Sequence, residues 1–188
     1  MFLSIAEWFE TAERQGVNLA EAVLRWEANE TGVDGSSIRH RIEDTLAVMR
    51  RAVDEGLASA EESPTRMTGG RARRLAATGP RLLGDDFTAM LARAIATLEV
   101  NARMGLIVAA PTAGAAGVVP GVLLTLRESR AWSAEDMVNG MLVAGGTGAV
   151  IADRASIAGA GGGCQAETGS GGAPGAPAGA PHGGGGAP

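Results

Sequence analysis

The chain has 188 residues, a mass of 18.9 kDa, 45% hydrophobic and 20% charged residues, and a formal net charge of −5. This is the size of about one domain and the balance of a globular protein, which excludes a wholly disordered chain. All 16 basic residues are arginine, so no lysine can form a Schiff base with pyridoxal phosphate; a single cysteine excludes an internal disulfide; and 3% aromatics without tyrosine removes most stacking platforms of single-strand nucleic-acid binders.

The first nine residues are apolar in part, but Glu7 interrupts them and no basic region precedes them, so they are not expected to be a secretory signal. Ser4 and Glu7 form a capping-box pattern ahead of a helix ending near Gly16. Asn18 and Glu21 repeat it ahead of a helix ending near Gly32. A longer helix is expected from about Ser36, where Ile38, Ile42, Leu46, Met49, Val53 and Leu57 recur at spacings of three and four and define one buried stripe. Residues 59–70 read as a loop containing Thr68-Gly69-Gly70, followed by a short arginine-rich helix to about Ala77 that Thr78-Gly79-Pro80 breaks. The cluster Arg66, Arg71, Arg73, Arg74 and Arg81 reads first as solvated surface, with phosphate or an acidic partner as the alternative. Residues 1–62 carry 13 acids against 6 arginines, which is no nucleic-acid footprint.

Asp85 or Asp86 is expected to cap a further helix to about Arg103, with Phe87, Leu91, Ile95 and Leu98 facing inward. Residues 104–126 then carry no charge, a length that would span a bilayer. Pro111, Pro120 and four glycines divide the stretch, which favours a buried core segment over a membrane span. Ser133 with Asp136 caps a last helix that carries Met137, Met141 and Val150, along with Gly145, Gly146 and Gly148. No alternating strand pattern rises above these, so the fold class is all-α. Residues 1–170 are expected to form the helical unit. Residues 171–188 contain only Gly, Ala, Pro and His182, a composition that cannot offset the entropy of ordering and reads as a disordered tail.

Two segments are candidates for chemistry. The small-residue loop from Ala110 through Pro111, Thr112, Ala113 and Gly114 to Gly121 exposes backbone donors that an anion can approach, with a tight packing turn as the plain alternative. Cys164, directly after three glycines, is a candidate thiolate for an iron cluster, against the alternative of a free buried cysteine. His40 in mid-helix and His182 offer no evident base.

Glu99-Val100-Asn101-Ala102-Arg103-Met104-Gly105, the Ala-Pro-Thr-Ala-Gly loop running into Gly-Val-Val-Pro-Gly, and Ala155-Ser156-Ile157-Ala158-Gly159 leading to Gly-Gly-Cys-Gln-Ala-Glu resemble the alpha chain of the iron-sulfur-dependent L-serine dehydratases, in order and together with Thr68-Gly69-Gly70. The resemblance implies a mostly helical, cytoplasmic alpha component that joins a beta component and deaminates L-serine to pyruvate and ammonia. It also implies a [4Fe-4S] cluster whose open iron acts as a Lewis acid on the serine hydroxyl. Cys164 matches the first cluster cysteine, and Thr112, Ala113 and Gly114 match the substrate loop; no catalytic residue is assigned. In the family a Cys-Asp-Pro…Pro-Cys stretch supplies further ligands, where this sequence has its Gly/Ala/Pro tail. The expectation is therefore an N-terminal part of an alpha chain, inactive alone, with the tail a candidate product of a shifted reading frame. The reading from a different class is a non-catalytic helical interaction module.

Overall fold

A computed structural model describes residues 4–79 and 84–155. Seven helices occur among them: α1 Ile5–Gln15, α2 Leu19–Thr31, α3 Gly35–Ala58, α4 Arg71–Thr78, α5 Asp85–Ala102, α6 Val118–Ser129 and α7 Ala134–Arg154. The described residues contain no named strand; one isolated antiparallel bridge, Glu62 to Gly69, closes the loop between α3 and α4. The all-α expectation is met.

Local chemistry sets most helix ends. Ser4, Asn18 and Asp34 accept from the backbone N–H three residues on, at α1, α2 and α3 respectively. Gly16 and Gly32 stop α1 and α2 in the left-handed conformation, with φ of 64° and 69°. At α7 the full reciprocal box forms: the Ser133 hydroxyl accepts from Asp136 N–H, and the Asp136 carboxylate accepts from Ser133 N–H at 2.8 Å.

Two apolar clusters hold the helices together. The first joins α1, α2, the start of α3 and α7 around Trp8, Val23, Leu24, Ile38, Leu142 and Val143. The Trp8 indole, 2% exposed, also donates to the Leu19 carbonyl at 3.1 Å. The second joins the rest of α3 with α6 and the first turn of α7 through Met49, Val53, Val119, Leu123 and Met137. The α3 stripe thus spans both clusters, as its spacing predicts. The uncharged stretch 104–126 divides into a non-helical segment and α6, and among the described residues no helix is long and apolar enough to cross a membrane.

Helix α5 departs from the sequence reading in two respects. Its N-cap is Gly84, with no side-chain cap bond, and Asp85 and Asp86 lie in the first turn, where they complement the helix dipole. Its inward face is Thr88, Ala92, Ala96, Thr97, Glu99 and Val100, whereas Phe87, Leu91 and Leu98 are exposed. The reason is distance. Helices α3, α4 and α6 all pack on α5, and they come so close that bulky side chains do not fit between. A Cβ on Gly56 would lie 2.3 Å from the Ala96 carbonyl oxygen, one on Gly117 2.3 Å from that of Ala94, and one on Gly121 2.8 Å from that of Met90. Small residues therefore take the interior of α5.

Candidate functional site

The Glu99–Gly105 motif, the Thr68-Gly69-Gly70 loop and the start of α4 form one polar junction. Glu99 is 2% exposed. Its Oε1 accepts from Arg71 N–H at 2.8 Å and from the Thr68 hydroxyl at 3.3 Å, and Oε2 accepts from Ala72 N–H at 3.4 Å. The carboxylate is thus the N-terminal cap of α4, supplied from another helix because Gly70 has no side chain to do it. Gly70 sits at φ 64°, and a Cβ on Gly69 would meet the Glu61 carbonyl oxygen at 2.6 Å, so both glycines are required by the turn. One turn further along α5, the largely buried Arg103 guanidinium pairs with Glu55 at 3.3 Å and approaches Glu61 at 3.9 Å. Sequence reasoning gave Glu99 no role; the available signal was a carboxylate on the same face as Ala92 and Ala96.

The loop carrying Thr112, Ala113 and Gly114 leaves this junction at Gly105, which folds over Val100, and enters α6 at Gly117, seated on the Ala94 carbonyl. Thr112 is half-buried, Ala113 and Gly114 are exposed, and Ala115, Ala116 and Gly117 are buried. The Ala110–Pro111 peptide is cis, and Ala110 N–H donates to the Thr112 carbonyl at 3.3 Å. The N–H groups of Thr112, Ala113 and Gly114 and the Thr112 hydroxyl find no acceptor among the described residues. Successive amides without an acceptor among the described residues, on a loop anchored at both ends, can donate to an anionic group such as a carboxylate.

Cys164 lies outside the described residues, as do Arg81 and His182. His40 is exposed on α3, 3.6 Å from Glu43 and 3.9 Å from Asp44, away from the loop in sequence and contacts. Arg66, Arg71, Arg73 and Arg74 are exposed. No group of three or more His, Cys, Asp or Glu suited to a metal occurs among the described residues. With one cysteine in the whole sequence, this chain's own side chains do not fit a four-iron cluster, which takes several thiolates. A hollow of about 260 Å³ between α3, α6 and α7, lined by Leu46, Arg50, Leu124, Arg127 and Met137, does not include the loop.

The class defined by this fold and these motifs is an all-helical domain with a small-residue loop between α5 and α6. A family model described as Serine dehydratase alpha chain matches residues 14–187. The chain is 38% identical over 168 residues to the probable L-serine dehydratase, alpha chain, of Bacillus subtilis, covering 88% of this chain and 56% of that one. It is 34% identical over 168 residues to the L-serine dehydratase, alpha chain, of Peptoniphilus asaccharolyticus, covering 88% and 58%. Against the L-serine dehydratase of Streptomyces coelicolor it is 33% identical over 166 residues, covering 85% and 36%. The chain belongs to the serine dehydratase alpha chain family. It spans little more than half the length of the Bacillus subtilis and Peptoniphilus asaccharolyticus alpha chains.

Proposed function

We propose that this chain is the loop-bearing part of an iron-sulfur L-serine dehydratase alpha component, working with a beta-type chain and inactive alone. The single observation that carries the substrate assignment is that the amides of Thr112, Ala113 and Gly114, with the Thr112 hydroxyl beside them, have no acceptor among the described residues. In this reading the amides hold the serine α-carboxylate, and the Thr112 hydroxyl bonds the substrate's ammonium or hydroxyl group. Overall, the α-proton and the β-hydroxyl of L-serine leave as water, and aminoacrylate tautomerises and takes up water to give pyruvate and ammonia. Cys164 supplies one thiolate of a [4Fe-4S] cluster, whose remaining ligands come from polypeptide that this sequence does not contain.

The test has two parts. After anaerobic incubation with iron and sulfide, the chain alone is expected to show no cluster absorbance and to form no pyruvate from L-serine; stoichiometric four-iron binding by the monomer overturns the assignment of missing ligands. Co-produced with a beta chain and the C-terminal region of a family alpha chain, it is expected to form pyruvate, with Cys164→Ser abolishing the cluster and Thr112→Val raising KM for serine at least tenfold. An unchanged KM removes the loop from the substrate site.

A further inference from the structure

The apolar residues of α5 that the fold turns outward define a surface that no helix among the described residues covers. Phe87 is 54% exposed, Leu91 38% and Leu98 39%, and Ile95 beside them is half-buried. At 3.6 residues per turn the four fall within an arc of about 80°, and the ridge runs about 16 Å along the axis. Helices α3, α4 and α6 cover the other sides of α5. Beyond its C-terminus, Met104, 87% exposed, and Leu106, 66% exposed, add further apolar surface before the small-residue loop. A central helix with three packed sides and an apolar fourth is the pattern of a core helix with one neighbour absent.

We infer that this ridge docks an amphipathic helix from the C-terminal region of a serine dehydratase alpha chain. The inference rests on family membership and not on the chemistry proposed above. Three observations favour this occupant. More than two-fifths of each matched alpha chain lies outside the match, so the family carries polypeptide that this sequence lacks. Residues 156–188 include one large aliphatic side chain, Ile157, which cannot fill four positions along 16 Å. A second copy meeting the same patch face to face would bury on the order of 500 Å² per partner even with Met104 and Leu106 included, short of the about 800 Å² typical of a stable complex. A helix that continues the fold is not confined to the patch: its own i, i+4 and i+7 apolar residues fill the ridge, and the chain on either side extends the contact past Leu106.

The full chain is co-produced with a tagged polypeptide comprising the unmatched C-terminal region of the Bacillus subtilis relative, without added iron, and the co-purified amounts are compared. Wild type is expected to be retained near one to one. Phe87→Glu/Leu91→Glu and the milder Leu98→Asn are expected to lower retention at least tenfold and threefold, with circular dichroism unchanged because the positions are exposed. No retention of wild type, or equal retention of wild type and variants, overturns the inference. Light scattering that shows wild type alone as a dimer which Phe87→Glu/Leu91→Glu dissociates also overturns it, by making a second copy the occupant. Retention here, with no pyruvate formed once a beta chain, iron and sulfide are also supplied, would leave the docking intact and refute the catalytic proposal alone.

Discussion

Replacing Glu99 tests the junction that joins α5 to α4. In Glu99→Ala, the Arg71 and Ala72 N–H groups and the Thr68 hydroxyl lose their acceptor at a side chain that is 2% exposed, so water has little access to replace it. Each buried donor left unmatched costs about 1–3 kcal/mol. With the 3.3 and 3.4 Å bonds counted at the low end because they are long, two amides, the hydroxyl and the lost charge at the helix N-terminus together give roughly 3–5 kcal/mol. Against a typical stability of about 5–15 kcal/mol, that is a large fraction. At about 2–4 °C per kcal/mol for a domain of this size, the melting temperature should fall by roughly 6–20 °C. Glu99→Gln keeps the shape and one acceptor but places an NH₂ group against a donor, so its loss should be smaller. The measurement is thermal unfolding followed by circular dichroism, with amide exchange at Arg71 and Ala72 as the local readout. The exposed Glu62→Ala serves as control. A Glu99→Ala melting temperature within about 2 °C of wild type, or unchanged exchange at the start of α4, would refute the reasoning.

Gly145 and Gly146 on α7 should respond with opposite signs to alanine. Nothing lies within 4 Å of a Cβ at Gly145, so Gly145→Ala should stabilise by about 1 kcal/mol through helix propensity. At Gly146 the new atom would lie 2.6 Å from Val23 Cγ2 and 2.9 Å from Trp8 Cη2, so Gly146→Ala should cost about 1–3 kcal/mol; denaturant midpoints decide both. Gly117→Ala places a Cβ 2.3 Å from the Ala94 carbonyl oxygen, and should both destabilise by about 1–3 kcal/mol and shift the amide resonances of residues 112–114. The Ser36 hydroxyl first, then the hydroxyl and N–H of Ser37, hold the Asp34 carboxyl well below the usual carboxylate range. A depressed folded value means this contribution is complete above the unfolded value of about 3.9 and is lost as pH falls through the folded one. The melting difference between wild type and Asp34→Asn should therefore be full at pH 7 and shrink below about pH 4; a gap constant down to pH 2 would contradict it.

The order of six of the seven helices and most of their ends were legible because they depend on bonds that close within three or four residues. Ser4 with Glu7, Asn18 with Glu21 and Ser133 with Asp136 each satisfy a helix N-terminus from neighbouring sequence, and Gly16 and Gly32 end helices through their own φ. The loop of Thr112, Ala113 and Gly114 was legible as a candidate from its small residues, though not the freedom of its three amides.

What depends on distant partners was not legible. Phe87, Leu91 and Leu98 look like an inward stripe when hydrophobicity alone is read, and only the close approach of Gly56, Gly117 and Gly121 gives the interior of α5 to alanine and threonine. Glu99 reaches amides 27 and 28 residues earlier in the chain, so nothing local marks it as a cap. Gly145 and Gly146 are equivalent as sequence, and only the position of Trp8 on α1 makes one a contact and the other an open surface. By itself the sequence determined where most of the helices run, because most of their caps, α4's Glu99 apart, are local. The tertiary structure decided which face of each helix is core, because that is set by how closely neighbouring backbones approach.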